Sequence, residues 1–190
     1  MKRVTEASVI LLISPFLVIS YSFLLVSNHA NCYHEDNIFT MGRSYTNIII
    51  HLIFHIKDTA CLMKEDDLPQ IFAYMGGIIR GVSGFAYTIG GCPDHIHILT
   101  TLPLTMTLPD FVRTIKAGSS KWIKQLSSDY RNFAWQEGYA AFSVSESIKH
   151  NVIDYISNQK LHHQRCSAYS EFIHFLEKNG ISTDYVPHRM

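Results

Sequence analysis

The sequence has few cysteines, and no two of them are closely spaced. Its four cysteines are scattered along 190 residues without a Cys-x-x-Cys spacing, and they are Cys32, Cys61, Cys92 and Cys166. This pattern excludes a disulfide scaffold and a zinc ribbon, because both depend on a dense or regularly spaced set of cysteines. We expect reduced thiols, as in a cytoplasmic protein.

The chain also lacks an excess of charge of either sign. Sixteen basic residues balance sixteen acidic ones, so no overall field indicates a polyanionic partner. No Pro/Gly/Ser-rich spacer and no repeat separates Tyr45 from Tyr185. Since 47% of the residues are hydrophobic, the chain from Met41 onward has enough apolar side chains for one core, and a single domain is predicted.

A strand-like motif near the middle of the chain carries two histidines. In the segment from Cys92 to Leu99, His95 and His97 are two residues apart. Residues i and i+2 of a strand point to the same face, so these two imidazoles are predicted to project together. Two imidazoles placed in this way can bind one divalent cation, although a pair of buried, hydrogen-bonded histidines gives the same pattern.

A second motif lies further along the chain. Residues 147–163 have the apolar spacing of a helix, with Ser147 as its predicted N-cap. Tyr155 and Gln159 are one helical turn apart, so their side chains share one strip of the helix surface. If this strip lies against the histidine-bearing strand, a phenol, an amide oxygen and two imidazoles surround a single ion.

Such a set of side chains suits the cleavage of a phosphodiester. The substrate is anionic, so a cation is needed to neutralise the charge that builds up on its oxygens. Neutral imidazole and amide ligands favour Mn²⁺, or Mg²⁺ with additional water ligands, over a structural zinc site. Attack by Tyr155 on phosphorus gives a covalent phosphotyrosine, which conserves the bond for rejoining. No general base for the phenol is evident, so we assign its deprotonation to the metal or its water.

In these motifs the sequence resembles the single-tyrosine HUH transposases of small bacterial insertion sequences and their relatives, the REP-associated tyrosine transposases. The resemblance covers roughly Tyr45 to Tyr185. It rests on four ordered segments: Pro93 to His97, Lys116 to Trp122, Trp135 to Ser145, and Tyr155 to Gln159 followed by His162 and His163.

The resemblance implies a DNA transposase that cleaves and rejoins single-stranded DNA at hairpin-marked ends, through a 5'-phosphotyrosine and a free 3'-hydroxyl. It implies Tyr155 as the nucleophile, and His95, His97 and Gln159 as ligands of Mg²⁺ or Mn²⁺. It also implies a bacterial homodimer, often with the tyrosine helix of one subunit completing the histidine site of the other. No small-molecule cofactor is expected.

Two alternative functions remain open. Ferredoxin-like sheets also form non-catalytic proteins that bind single-stranded nucleic acid by stacking bases on strand aromatics, but the exposed face of this strand is expected to carry histidines and Leu99. A metallohydrolase that uses water would leave Tyr155 with a structural role. The rival nucleophiles Tyr130 and Tyr139 lack a glutamine one turn on, and we expect them to pack around Trp135.

Other polar residues near these motifs are given lesser roles. His51 and His55 share a strand face, but no carboxylate or cysteine accompanies them, so we do not predict a second metal site. Asp94 could orient His95 as a hydrogen-bond acceptor, or it could simply end a turn. His162 could point toward the bound phosphate or toward solvent.

Positive charge is concentrated in one segment of the chain. Residues 113–131 contain one acidic residue, Asp129, and five basic residues, which are Arg113, Lys116, Lys121, Lys124 and Arg131. Because Trp122 lies in the same predicted helix, we treat these five as candidate DNA contacts. A solvated helix face with a buried tryptophan explains the charge equally well.

The predicted elements follow the order β-α-β-β-α-β and end with two helices. The strands are predicted at 45–56, 85–90, 95–101 and 140–144, and the helices at 67–81, 108–126, 147–163 and 169–178. This order is typical of an α+β, ferredoxin-like (RRM-like) antiparallel sheet with helices on one face and a C-terminal tyrosine-bearing helix. We expect the other face to be open around the histidines.

Residues 1–40 precede the predicted transposase domain, residues 41–190. Ala7 to Val26 is an uncharged, largely apolar run that is long enough to cross a bilayer, although Pro15 and four serines weaken it. No convincing small-x-small cleavage site follows it, so it is a poor secretory signal. We interpret this extension as an over-extended reading frame that begins upstream of Met41. A membrane segment is the minority interpretation.

Overall fold

The computed structural model describes residues 45–159 and 168–184 of the chain. The N-terminal extension, with its apolar run, lies outside these residues, and so does His162. Within the two described ranges, no helix has both the length and the apolar character that crossing a bilayer requires.

Four antiparallel strands form one sheet in the order β2-β3-β1-β4. The strands are β1 (Ile49–His55), β2 (Ala86–Cys92), β3 (His95–Thr101) and β4 (Ala140–Val144). The α-helices are α1 (Leu68–Gly81), α2 (Leu108–Leu126), α3 (Lys149–Ser157) and α4 (Ala168–Lys178). The first and third strands are central, as the ferredoxin-like arrangement requires, and the predicted fold class is confirmed.

One face of the sheet packs against α1 and α2. Leu52 and Phe54 of β1 point to this face together with Ile96 and Ile98 of β3, and all four are fully buried. The two helices contribute buried apolar residues at helical spacing, which include Ile71, Met75, Ile79, Phe111, Ile115 and Ile123. Burial of each such side chain is worth about 1.5–3 kcal/mol, so this layer is the main core.

The second face of the sheet is also covered, which differs from the expected open face. Ile156 of α3 packs with Ile49 and Leu99, and Leu176 of α4 packs with Ile53. Alternate residues of β1 and β3 therefore enter different hydrophobic clusters, one on the first face and two on the second, as the two-residue period of a strand dictates. The histidines lie beneath the helices of this second layer.

Helix α3 covers Lys149–Ser157 of the helix predicted at 147–163, and residues 160–163 of that prediction lie outside the described residues. A 3₁₀ turn at Glu146–Ile148 precedes it, so Ile148 and not Ser147 occupies the N-cap position. The helix ends at Ser157, where the Asn158 side chain donates a hydrogen bond to the main-chain oxygen of Asp154. Gln159 therefore lies two residues beyond the end of the helix that carries Tyr155.

Candidate metal and nucleophile site

Two central strands place histidines next to one another on the face covered by α3 and α4. In the antiparallel register of β1 and β3, His55 lies opposite His95 and Ile53 lies opposite His97. His95 and His97 are 0% and 1% exposed, and their ring centroids are 5.0 Å apart. The structure thus brings the two imidazoles together on one face, as the i, i+2 spacing predicts.

The Nδ1 atom of each of these imidazoles is engaged by a neighbouring side chain. Nδ1 of His95 lies 2.7 Å from an Asp94 carboxylate oxygen, and Nδ1 of His97 lies 3.0 Å from Nε2 of His51. Burial lowers the pKa of His51 to about 4, so His51 is neutral and can accept a hydrogen bond from His97. Nε2 is then the ring nitrogen of each histidine that could bind a cation.

The contact with His95 affects the pKa of the Asp94 carboxyl group. Burial tends to raise its pKa, but the hydrogen bond from His95 and the nearby histidine charges outweigh that effect and lower the pKa below its usual value. The ionised form is therefore favoured. Of the two roles that the sequence leaves open for Asp94, the geometry fits the orienting acceptor.

Glu171 of α4 completes a cluster with the two histidines. Its carboxylate oxygens lie 3.8 Å from Nε2 of His95 and 3.8 Å from Nε2 of His97. It also accepts a hydrogen bond of 2.9 Å from Nε2 of Gln159. The possible ligand atoms of His95, His97 and Glu171 all lie within 4.8 Å of one another. Burial raises the pKa of Glu171 to about 7, an effect that the charge of Asp94 reinforces and that of His95 opposes.

Tyr155 lies beside this cluster. Its ring centroid is 5.8 Å from that of His97, 6.4 Å from that of His51 and 5.4 Å from that of Phe175 on α4. The side chain is half-buried, and its hydroxyl oxygen is shielded from solvent. The four residues predicted to form the site are therefore brought together within a single chain, with the tyrosine helix over its own strands.

A glycine opposite His97 allows α3 to lie this close to the sheet. Gly90 of β2 pairs with His97 of β3. A Cβ atom at this position would lie 2.5 Å from the main-chain oxygen of Ile156 and 2.9 Å from its side chain. Because real Cβ contacts are never this short, a side chain on Gly90 would push α3, and with it Tyr155, away from the histidines.

The basic residues predicted to contact DNA lie elsewhere. Helix α2 packs against the opposite face of the sheet. Lys116 donates hydrogen bonds of 2.7 Å and 2.6 Å to the main-chain oxygens of Gln136 and Gly138, and Arg113 forms an ion pair with Asp110. The remaining three, Lys121, Lys124 and Arg131, are exposed.

The tryptophan and the rival tyrosines have structural surroundings. Trp122 is half-buried and stacks on Tyr74, with ring centroids 4.3 Å apart. Tyr130 is buried, packs against Phe133, and donates a 2.7 Å hydrogen bond to Asp67. Burial and this hydrogen bond raise the pKa of Tyr130 to about 12, which makes it a poor nucleophile. Tyr139 is 36% exposed.

Glu171 is the residue of this cluster that the sequence interpretation missed. A signal was present, because Glu171 occupies the same apolar side of α4 as Phe172 and Phe175. An acidic residue on the buried side of an amphipathic helix is unusual, since a buried carboxylate needs polar or ionic partners. The sequence alone did not indicate which partners it would meet.

Comparisons with known proteins agree with the predicted family. The profile of the family described as IS200-like transposase matches residues 44–159, more than half of the chain. The ISDra2 transposase TnpA of Deinococcus radiodurans is 24% identical over 124 residues, which are 62% of this chain and 89% of that protein.

Two solved structures are similar to this fold. One is a Deinococcus radiodurans protein described as a transposase, with 21% identity, a TM-score of 0.49, and coverage of 63% of this chain and 97% of that one. The other is a REP-associated tyrosine transposase bound to a REP hairpin, with 15% identity, a TM-score of 0.49, and coverage of 75% and 87%. The family match spans the segments that carry both histidines, Tyr155 and Gln159, and the chain therefore belongs to the family of IS200-like transposases.

Proposed function

We propose that this transposase cleaves and rejoins single-stranded DNA at hairpin-marked ends, with Tyr155 as the nucleophile. His95, His97 and Gln159 are proposed to hold a divalent cation, Mg²⁺ or Mn²⁺. The observation that carries the proposal is the position of the Tyr155 ring beside His97, in a chain whose family is that of transposases.

The donor atoms of the site suit such a cation. Two imidazole nitrogens and an amide oxygen are ligands that Mn²⁺ accepts readily and that Mg²⁺ accepts with additional oxygen ligands. The amide oxygen of Gln159 is buried and has no hydrogen-bond partner among the residues that the structure describes. Such an atom is costly to leave unsatisfied, and a cation would satisfy it. When bound, the cation would supply positive charge to the non-bridging oxygens of the scissile phosphodiester.

The side chains of the chain itself have separate tasks in this reaction. The Tyr155 phenol loses its proton and its oxygen bonds to phosphorus, while the bond from phosphorus to the 3'-oxygen breaks. The leaving 3'-oxygen takes up a proton, and the 5'-phosphate stays on Tyr155. Attack by another 3'-hydroxyl reverses these steps and rejoins the strand. Phe175, packed against the Tyr155 ring, helps to exclude water that would hydrolyse the phosphotyrosine.

DNA is proposed to contact both the histidine face of the sheet and the basic segment, residues 113–131, that begins in α2. The similar REP-associated transposase was solved with a REP hairpin, and a hairpin substrate is proposed here by analogy. Arg113, Lys116, Lys121, Lys124 and Arg131 are proposed to contact phosphates away from the scissile linkage. Of these, Lys121, Lys124 and Arg131 are the least engaged by the protein, because Lys116 and Arg113 already have the partners named above. A homodimer in solution is also proposed, which light scattering can test.

The proposal is tested by looking for the covalent intermediate. Purified full-length protein is mixed with a labelled single-stranded hairpin oligonucleotide and Mn²⁺ or Mg²⁺, and the products are separated under denaturing conditions. We expect a protein-DNA adduct with the wild type and none with Tyr155→Phe, which should still bind the DNA. Tyr139→Phe, which changes an exposed tyrosine in the same way, is the matched control and should form the adduct normally.

The other outcomes identify the alternatives. A gel shift without cleavage would favour a non-catalytic single-stranded nucleic-acid binder. Cleavage without an adduct would favour a metal-dependent hydrolase that uses water. Wild-type cleavage by Tyr155→Phe would show that the nucleophile is a different residue.

A further inference from the structure

We propose that Glu171 is a further ligand of the divalent cation, so that α4 supplies part of the metal site together with β3. This inference rests on the proposed function, because it assumes that His95 and His97 bind a cation. It adds an anionic ligand from α4 to a ligand set that the sequence predicts to be neutral.

The distances between Glu171 and the histidines fit a shared ion better than a direct contact. At 3.8 Å, each separation between a carboxylate oxygen and an Nε2 atom is too long for a hydrogen bond. Two ligand atoms that are each about 2.1 Å from one cation lie about 3–4.2 Å apart, depending on the angle between them. Both measured separations fall in this interval.

The neighbouring side chains hold the three groups in a ligating orientation. Asp94 and His51 engage Nδ1 of His95 and His97, which directs both Nε2 atoms toward Glu171. The amide nitrogen of Gln159 donates to one carboxylate oxygen of Glu171. Contacts of this kind are typical of metal sites, where they fix the tautomer and rotamer of each ligand.

The burial of Glu171 also favours a cation beside it. The residue is 5% exposed, and a carboxylate removed from water needs an ionic partner or a full set of hydrogen bonds. A cation between the carboxylate and the two imidazoles would add to the partners that Glu171 already has, among them Gln159. A divalent cation and one carboxylate would together carry a net charge of +1, which still attracts a phosphodiester.

A ligand on α4 would couple ion binding to the position of this helix. Phe172 and Phe175 place α4 over the histidine face, with ring centroids 5.8 Å from His55 and 5.3 Å from His51. A bond from the ion to Glu171 would join α4 to β3 directly. Ion binding is then expected to suppress the opening of α4, even without DNA.

The test uses the full-length protein without DNA. Mn²⁺ is titrated into wild type, Glu171→Gln and Glu177→Gln, and free Mn²⁺ is followed by electron paramagnetic resonance. We expect at least about a tenfold loss of Mn²⁺ affinity in Glu171→Gln, because its neutral amide keeps the size of the side chain but removes the charge. Glu177 lies on the exposed side of the same helix, and Glu177→Gln should bind Mn²⁺ like the wild type.

A second measurement requires no substitution. Amide hydrogen exchange of α4 is compared in the wild type with and without Mn²⁺, and slower exchange with Mn²⁺ is expected. Unchanged exchange in α4, or wild-type Mn²⁺ affinity in Glu171→Gln, overturns the role of Glu171 and leaves the proposed function intact if the Tyr155 adduct still forms. A wild type that binds no Mn²⁺ and forms no adduct overturns both.

Discussion

The two faces of the sheet bury different kinds of side chain beneath their helices. Under α1 and α2, β1 and β3 place Leu52, Phe54, Ile96 and Ile98 in a wholly apolar layer. Under α3 and α4, the alternate residues of the same strands include four buried histidines, and Glu171 enters from above. The first layer holds the fold together by excluding water from apolar surface. The second layer combines two small apolar clusters with polar groups that need specific partners.

This difference separates the layer that supplies most of the stability from the layer that holds the proposed site. A buried polar group stabilises a structure only when its hydrogen bonds or ionic partners are supplied, so the histidine face contributes less to folding than its area suggests. Because the apolar face carries most of the folding energy, the histidine face can hold imidazoles and a carboxylate at one point. Substitutions on the two faces should therefore have different consequences, and three predictions test this expectation.

The largest effect is expected from neighbouring β1 residues that point to opposite faces. Leu52→Ala should lower the free energy of unfolding by about 2–5 kcal/mol, because it leaves a cavity in the main core. The folded fraction should bind Mn²⁺ with unchanged affinity. Ile53→Ala removes a side chain that packs with Leu176 of α4, so it should weaken Mn²⁺ binding as well. Urea unfolding and Mn²⁺ titration measure the two quantities. Equal loss of ion affinity in both variants would contradict the division of roles.

A smaller effect on stability is expected from a substitution at Gly90, the glycine that lets α3 lie close to the sheet. Gly90→Ala should lower the free energy of unfolding by about 1–3 kcal/mol, because the new methyl group meets the main chain of Ile156. The yield of the DNA adduct should also fall, since Tyr155 moves with α3. Thermal unfolding and the adduct assay give both readouts.

The control for this substitution is a glycine with free space around it. Gly77 lies on the exposed side of α1, where an added Cβ meets nothing within 4 Å. Gly77→Ala should stabilise the protein by about 0.5–1 kcal/mol, because alanine favours the helix. Similar behaviour of the two variants would show that the contact at Gly90 does not position α3.

The smallest effect is expected from substitutions of His51, whose Nε2 lies 3.0 Å from Nδ1 of His97. His51→Phe keeps an aromatic ring but removes the acceptor for Nδ1 of His97, and we expect about a tenfold loss of Mn²⁺ affinity. His51→Gln retains an acceptor oxygen and should lose less. The two variants are compared by Mn²⁺ titration after circular dichroism shows that both are folded. Equal affinity in both variants would mean that the hydrogen bond from His97 does not matter for ion binding.

Much of the fold followed from local patterns. The predicted bounds of β3, α2 and β4 agree with the structure, because alternation, a proline in the first helical turn and flanking turns define these elements locally. Strand β1 begins at Ile49 and not at the predicted residue 45, because its ladder with β3 begins there. The residues at which a strand begins and ends depend on its partner strands, and the sequence pattern does not show which strands are partners.

Part of the candidate site was also predicted from local sequence patterns. The i, i+2 spacing of His95 and His97 placed both on one strand face, and the structure brings Tyr155 and Gln159 to them. The contact of His51 with His97 and the contacts of Glu171 with the histidines could not be predicted, because each of them joins residues that are far apart in the chain. Their positions depend on strand register and on how α4 packs.

The sequence by itself determined which side chains alternate on each strand, which helices are amphipathic, and which family the chain belongs to. These properties are local, since they depend on the period of the backbone and on the order of motifs. Only the tertiary structure decided that both sheet faces are covered, that Gly90 lets α3 approach His97, and that Glu171 lies beside the histidines. These contacts depend on the packing of distant segments, because shape and burial select partners that no local pattern encodes.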